Sequence, residues 1–339
     1  MMEEQRKPFD SKAFLAFGVL LALVLLLPLY WEFIGYTPSP KQSPTSIDST
    51  SVETPVIDSK VKQATVSDTI RYYAPADSIS GGFALPDGWN ERFISVSTPR
   101  YDAVFSSRGA RLINLVLKQF TYTDQARDGQ PIVLLDSLDA AGGIGPRFRF
   151  AGEKFDLSQA AFEVSGSAVS LTGSDSATIE FSTRTPAGGR WTISYTFYGD
   201  RHDFGARLRV PEPWKDGIER DLFYGWEGGL WPTEPDIAGD NGDFAAIALM
   251  GENDLEKVGS VDRENPISTF GGETKWVAVR TKYFVCATIP RSHEGEAFRV
   301  EAGERPFVFA GQKLTIKEFS AWVRTQLRAG EPIDQTFSV

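Results

Sequence analysis

The most informative feature of the sequence from Arg92 onward is a period-two alternation of apolar and polar residues. Clear examples are residues 93–97, 191–197 and 314–319. This alternation places one set of side chains on a core face and the other set in water, as in a β-strand. Turn residues such as Gly188 and Gly189 separate the runs at intervals of about 8–12 residues, which predicts a large antiparallel β-sandwich.

Helical periodicity is scarce in the same part of the chain. Residues 243–250 (DFAAIALM) are the best candidate for a short helix. A strand is an open alternative for this segment, because a short apolar run fits both kinds of element.

A different pattern dominates the N-terminus. Residues 13–34 form an apolar run in which Leu20 and Leu25 are typical members. At 1.5 Å per residue the run would make roughly 33 Å of helix, enough to cross the hydrocarbon layer of a bilayer. Tyr30 and Trp31 fall at its far end, where amphipathic rings settle at the membrane interface. The run therefore predicts one transmembrane anchor.

The flanking charges predict the orientation of this anchor. Arg6, Lys7 and Lys12 precede the run, and the next cation after it is Lys41. The positive-inside bias places residues 1–12 in the cytoplasm and the rest of the chain outside. A cleaved signal peptide is the alternative, but the bulky, aromatic exit from the run does not resemble a cleavage site.

Residues 37–91 are rich in Ser, Thr and Pro and have no sustained period. Such a segment cannot bury enough apolar area to offset the entropy of the chain, so it predicts a flexible linker. The folded domain is expected to comprise residues 92–339.

Composition and charge narrow the range of partners. The formal net charge is −10, and the chain contains no dense block of Lys and Arg. Binding of phosphate backbones requires clustered cations, so nucleic acid is excluded as a partner. The same acidic balance argues against the folded domain lying on anionic lipid.

The residues that could carry chemistry are few. Cys286 is the only cysteine, so no intrachain disulfide can form, and its apolar surroundings predict a small buried side chain. The two histidines, His202 and His293, lie in polar segments and are expected to face solvent. No His/Cys cluster, nucleophile elbow or phosphate-binding loop is present, so neither an enzyme nor a cofactor is predicted.

A family resemblance enters through one segment of the C-terminal third. It contains an ordered set of residues, namely Trp276, Lys282, Tyr283, Phe284 and Pro290. This segment resembles a signature of the periplasmic domain of the YidC family of membrane protein insertases. Weaker similarities extend the resemblance over nearly the whole chain, including residues 94–99, 103–118, 185–197 and 309–323. The aromatic members Trp276, Tyr283 and Phe284 are interpreted as core packing in one long strand pair.

The resemblance implies both a fold and a function. The implied fold is a β-supersandwich of the kind shared with sugar mutarotases, preceded by one transmembrane helix and a flexible linker. The implied function is insertion and folding of bacterial inner-membrane proteins, alone or beside the Sec translocon, with the domain in the periplasm. The implied partners are therefore the Sec translocon with its accessory subunits, nascent inner-membrane proteins and the lipid bilayer.

The resemblance also suggests a docking region for a Sec accessory subunit at about residues 183–234. Aromatic side chains in this region are candidates for the contact, namely Trp191, Tyr195, Trp214 and Trp231. The same aromatic residues could equally be part of the core.

One departure from the family pattern changes the functional expectation. The resemblance implies an insertion apparatus of five further transmembrane helices, and no second apolar run of roughly 18 residues follows residue 36. The sequence is therefore expected to be the N-terminal part of an insertase, with an unusual single-span relative as the alternative. A membrane-tethered periplasmic module that binds carbohydrate or peptide is the second hypothesis, because eight tryptophans could line a cleft.

Overall fold

The computed structural model describes residues 88–136, 142–150, 153–155, 157, 160–184, 190–210, 220–327 and 331–339. The predicted anchor (13–34), almost all of the predicted linker and Trp214 lie outside these residues. Within these ranges, no helix is both long enough and apolar enough to span a bilayer.

The same ranges contain nineteen strands and one short helix. The elements are β1 (Phe93–Ser97), β2 (Tyr101–Ser106), β3 (Arg111–Thr121), β4 (Pro131–Asp136), β5 (Gly143–Phe150), β6 (Glu153–Phe155), β7 (Glu163–Ser165), β8 (Val169–Ser170), β9 (Ser176–Arg184), β10 (Arg190–Tyr198), β11 (Gly205–Val210), β12 (Arg220–Glu227), α1 (Ile237–Asp243), β13 (Ala245–Met250), β14 (Asp254–Val258), β15 (Ile267–Arg280), β16 (Val285–Pro290), β17 (Gly295–Phe309), β18 (Gln312–Leu327) and β19 (Ile333–Ser338). The chain is mostly β, as the alternating pattern predicts.

The strands form two layers joined through β16. The first layer begins with β8, β1, β2 and β3, which lie side by side. Both β4 and β5 pair with the far edge of β3. From β5 the layer continues in the order β12, β18, β17, β15, β13 and β14. In the second layer the order is β7, β9, β10, β11, β19 and β16. The pairing of β1 with β8 is parallel, which makes the sheet mixed, and the other described pairings are antiparallel.

Strand β10 shows how the sequence pattern produces this arrangement. Its apolar side chains alternate with Thr and Ser, and the side chains of Trp191, Ile193, Tyr195 and Phe197 are all buried. Aromatic and β-branched residues at every second position fit the inner face of a pleated strand.

Aromatic contacts join the inner faces of the two layers. Phe105 of β2 is fully buried, and its ring centroid lies 4.6 Å from that of Tyr195 and 5.3 Å from that of Phe197. Elsewhere the ring of Tyr224 in β12 stacks on that of Phe337 in β19 at 4.2 Å. The main core therefore lies between the layers, as in sheet-on-sheet packing.

The predicted helix at residues 243–250 is wrong, and the strand alternative is correct. Residues Ala245–Met250 form β13, which pairs with β14 and β15, and its buried positions alternate over most of its length. The helix lies just before it, at Ile237–Asp243, where a sequence with two glycines has little intrinsic helical tendency. The Asp236 side chain accepts a hydrogen bond from the Gly239 N–H and so caps this helix.

Candidate functional site

A groove with a volume of about 810 Å³ opens between the ends of β3 and β4 and the turn that joins β15 to β16. Its walls include apolar side chains that also belong to the core, namely Leu115, Leu117, Ile132, Phe204 and Trp226. The groove is therefore an opening onto the hydrophobic core and is lined mainly by apolar groups. A concave site of this size and lining is typical of ligand binding.

The rim of the groove is apolar and exposed to solvent. Phe120 is 44% exposed, Tyr283 66% and Val285 58%, and all three line the groove. They make up half of the six large apolar side chains that are exposed in the described part of the chain. The ring of Phe120 meets that of Phe284 edge-on, with centroids 5.4 Å apart. Such clustering of exposed apolar groups marks an interaction surface rather than random exposure.

The turn that carries Tyr283 is held by hydrogen bonds at its base. The Thr281 N–H donates to the Phe284 carbonyl at 2.9 Å, and the Phe284 N–H donates to Oγ1 of Thr281 at 3.2 Å. Lys282 and Tyr283 thus form the tip of a tight hairpin. The short turn projects the Tyr283 ring over the mouth of the groove.

Asp240 of α1 ties this turn to the opposite wall. Its carboxylate is buried and accepts hydrogen bonds from three backbone N–H groups: those of Thr233 at 2.7 Å, Glu234 at 3.3 Å and Lys282 at 3.1 Å. One buried side chain therefore fixes the distance between the segment 233–234 and the hairpin tip, both of which border the groove.

Replacing Asp240 with alanine is expected to lower the free energy of unfolding by about 2–3 kcal/mol, because buried N–H groups lose their acceptor. Chemical denaturation measures this loss, and hydrogen exchange of the Lys282 amide should speed up in parallel. Asp243→Ala is the control on the same helix, since the described contacts of Asp243 are a long ion pair with Arg280 (3.7 Å) and a charge interaction with Lys282, with no hydrogen bond to the turn. Equal stability of the two variants would show that Asp240 does not hold the turn.

The charged groups at the groove are mainly acidic. Asp203 and Glu234 line it together with His202, whereas none of its lining residues is Lys or Arg. Lys282 lies beside the groove in an exposed position. The pKa of Lys282 is raised, first by its hydrogen bond with Tyr283 and further by the negative charges of Glu234 and Asp243.

Cys286 contributes to the wall of the groove as an apolar group. The residue is half-buried, and burial raises the pKa of its thiol to about 12. At neutral pH the thiol is therefore protonated, and a protonated thiol is a poor nucleophile. Cys286 packs against the core as the sequence predicts, although part of the residue reaches the surface.

A second cluster of charged side chains lies away from the groove, on β5, β12 and the start of β3. Glu227 forms ion pairs with Arg111 at 2.9 Å and with Arg147. The guanidinium group of Arg147 also lies 4.5 Å from the ring of Trp322, which is almost fully buried. The charges are paired with each other, so we interpret the cluster as structural. No group of His, Cys, Asp and Glu in the described residues could hold a metal ion.

Of the signature residues, Tyr283 and Phe284 line this groove, whereas Trp276, Lys282 and Pro290 are not among its lining residues. Trp276 in β15 and Pro290 in β16 are half-buried within paired strands, and Phe284 packs partly against the core. Tyr283 and Lys282, by contrast, are exposed at the hairpin tip. The interpretation of Tyr283 as core packing is therefore wrong, because the turn directs it away from the sheet interior.

The aromatic candidates for partner docking separate in the structure. Trp191 and Tyr195 are buried between the layers, so they cannot contact a partner in the folded domain. Trp231 is half-buried, with Phe307 edge-on at 5.3 Å and the Arg305 guanidinium 5.1 Å from its ring centroid. Trp214 lies outside the described residues. Both histidines are exposed, as expected.

Sequence reasoning missed Phe120, Val285 and Asp240 as contributors to the site. Phe120 follows Lys118 and Gln119 at the end of a strand, where a single aromatic residue gives no distinctive signal. Val285 belongs to an apolar run that reads as a buried strand. Asp240 resembles an ordinary surface helix residue, and only its tertiary contacts reveal its role.

Taken together, these features define a mostly β domain with an apolar groove on its surface. Comparison with known proteins identifies its kind: residues 93–331 match the family model described as the YidC periplasmic domain. The chain belongs to the YidC family. This is a family of insertases and not of enzymes, and the match implies a location at the inner membrane and in the periplasm.

Individual relatives of the chain are named membrane protein insertase YidC. The chain is 27% identical to the membrane protein insertase YidC of Chlorobium phaeovibrioides over 328 residues, which covers 94% of this chain and 52% of the relative. It is 30% identical to the membrane protein insertase YidC of Syntrophus aciditrophicus over 300 residues, and this match covers 84% of this chain and 51% of the relative. The chain thus spans about half the length of these curated relatives.

Among solved structures, the chain is similar to the GalM/aldose epimerase homologue from C. elegans. The sequence identity is 12%, the TM-score is 0.42, and the match covers 73% of this chain and 98% of that protein.

Proposed function

We propose that the chain is the N-terminal portion of a YidC-type insertase, and that its periplasmic domain assists the insertion and folding of inner-membrane proteins with or without the Sec translocon. The observation that carries the proposal is the family match over residues 93–331, together with relatives named membrane protein insertase. The mechanism is docking and positioning of partners rather than bond making.

The proposal includes the membrane layout. Residues 13–34 anchor the chain with residues 1–12 in the cytoplasm, residues 37–91 act as a tether, and the domain is a mutarotase-like supersandwich in the periplasm. The apolar run, its flanking cations and the mostly β domain support this layout. Carbonate extraction tests the anchor: the chain should stay with the membrane pellet, and its release into the supernatant would contradict the layout.

Two surfaces are candidates for partner contact. The apolar groove suits nascent inner-membrane proteins, whose segments are themselves apolar. The region 183–234 remains the candidate for docking a Sec accessory subunit, with Trp231 as its half-buried aromatic residue.

Site-specific photo-crosslinking in native membranes tests both contacts. A crosslinker at Tyr283 should capture nascent inner-membrane proteins, and one at Trp231 should capture a Sec subunit. Leu255 is the control position, because it is 59% exposed and lies outside the groove. Capture at Tyr283 no stronger than at Leu255 would count against the proposal for the groove, and failure to capture any Sec subunit at Trp231 would count against the docking region.

A membrane-tethered module for carbohydrate or peptide is the second candidate, and the groove itself is the observation that favours it. The groove combines apolar and aromatic walls with polar side chains such as Gln119, Asp203 and Glu234, a lining that suits either a peptide or a sugar. Calorimetry with simple sugars discriminates between the ligands. Micromolar binding of a sugar would favour the carbohydrate-binding module over the insertase role.

A further inference from the structure

Residues Val285–Thr288 of strand β16 have no partner strand among the described residues on the edge that faces the groove. On its other edge, residues Val285–Thr288 pair with Val277–Arg280 of β15. Farther along, Ile289 and Pro290 pair with β19 on the groove-facing edge. No described strand therefore covers the stretch Val285–Thr288 on the side of the groove.

The hydrogen-bond register shows which backbone groups this open edge presents. The Thr281 N–H to Phe284 carbonyl bond makes residues 281 and 284 a hydrogen-bonded pair. Hydrogen-bonded and non-hydrogen-bonded pairs alternate along an antiparallel ladder, so Cys286 and Thr288 bond to β15. Val285 and Ala287 consequently direct their N–H and carbonyl groups towards the groove.

An open edge of this kind normally carries protection against pairing with another chain. Natural edge strands are shielded by Lys, Pro, bulges or covering segments. Here Lys282 and Pro290 lie beyond the two ends of the stretch Val285–Thr288. The stretch itself carries Val285, which is 58% exposed, next to Tyr283, which is 66% exposed. Val285 also lines the apolar groove, as does Phe120, whose ring centroid lies 5.4 Å from that of Phe284.

We propose that this edge and groove bind an extended apolar peptide segment by β-strand addition to β16, with a basic residue of that segment placed near Glu234. Backbone groups of the segment pair with those of Val285 and Ala287, and every second side chain enters the groove. This is the strand-addition mode of peptide recognition, in which the main chain supplies affinity and pockets select side chains.

The charges around the groove argue for this occupant over a lipid surface. Glu234 and Asp203 line the groove, and no Lys or Arg lines it in the described part of the chain. Asp203 forms a direct ion pair with Arg201, whereas Glu234 acts on the nearby Lys282 without a direct ion pair among the described residues, so the basic residue is assigned to Glu234. Anionic headgroups would be repelled here, whereas an apolar segment flanked by lysine is complementary.

The inference rests on the proposed function, since it specifies how the domain would hold a client segment. Its test uses the full chain in nanodiscs and a fluorescent nine-residue peptide that alternates Val and Thr and ends in Lys. Fluorescence anisotropy should show saturable binding above that of empty nanodiscs. A matched peptide that carries N-methyl groups on all of its backbone amides has no N–H group to pair with a strand edge, and its affinity should fall at least about tenfold.

The matched protein variants are Val285→Lys and Val308→Lys. Val308 is 64% exposed on β17 and does not line the groove, so it carries the same change at a comparable surface position. Val285→Lys should weaken peptide binding at least about tenfold, because an edge lysine blocks strand addition, while Val308→Lys should not. Glu234→Gln should reduce the dependence of binding on salt. Thermal unfolding confirms that all three variants fold.

These experiments distinguish a failure of strand addition from a failure of the proposed insertase function. Equal binding of the N-methylated peptide, equal binding by the two lysine variants, or binding of anionic vesicles in place of peptide would overturn the inference. Peptide binding that Val285→Lys abolishes without any change in crosslinking of nascent chains would leave strand addition established and contradict the groove's role in insertion.

Discussion

A Phe105→Ala variant is expected to lose about 3–5 kcal/mol of unfolding free energy, because it removes a large, fully buried ring and leaves a cavity. Phe105 lies in the first layer, and its ring centroid is within 6.5 Å of those of four aromatic residues: Phe181, Tyr195, Phe197 and Phe204. The substitution therefore removes contacts that join the two layers. Chemical denaturation followed by tryptophan fluorescence measures the loss.

Phe120→Ala is the matched control for this prediction. Phe120 is 44% exposed at the groove rim, so the same deletion should cost about 1 kcal/mol or less. A loss for Phe105→Ala as small as that for Phe120→Ala would mean that the aromatic cluster does not hold the layers together.

A Glu227→Ala variant is expected to lose about 3–5 kcal/mol, because it removes the carboxylate that pairs with two largely buried guanidinium groups. The side chains of Arg111 and Arg147 are only 9% and 12% exposed, so solvent cannot readily replace Glu227. Each arginine would lose Glu227 as a partner in a weakly solvated position, while Arg147 would keep its longer ion pair with Glu301 at 3.7 Å. Urea denaturation at low and high salt measures the effect, and the loss should persist at high salt.

The control for this prediction is Glu304→Ala. Glu304 pairs with Arg263 at 2.6 Å, but the Arg263 side chain is 80% exposed. An exposed pair of this kind contributes about 0–1 kcal/mol, and salt screens it. Similar losses for the two glutamate variants would show that burial does not strengthen the Glu227 cluster.

Particular segments show how far the sequence could specify the fold. The alternation in 191–197 predicts strand β10 and its buried face, and the structure confirms both. For residues 243–250 the sequence did not decide between a helix and a strand, because the apolar pattern of this short segment fits both. Pairing with β14 and β15 decided the outcome in favour of the strand.

The candidate site was only partly accessible to sequence reasoning. The segment with Trp276, Tyr283 and Phe284 was recognisable as a family signature, and it lies in and beside the groove. Its side chains were nevertheless interpreted as core, because apolar residues between strands commonly pack inside. Conversely, Trp191 and Tyr195 were predicted as docking candidates and proved to be buried. Residue type alone does not state which side of a strand faces a second layer.

The sequence alone was enough to predict that the chain from about residue 92 onward forms strands with alternating apolar and polar residues. It also identified the YidC family, and it gave no reason to expect a metal or nucleic-acid site. These conclusions depend on local periodicity, composition and motif order, all of which are written along the chain. Only the tertiary structure brings the hairpin at Lys282 and Tyr283 to Asp240 and places the ring of Phe120 against that of Phe284. It also leaves one edge of β16 without a partner among the described strands. Such features depend on which distant strands pair and where pairing stops, and that is set by contacts between residues far apart in the chain.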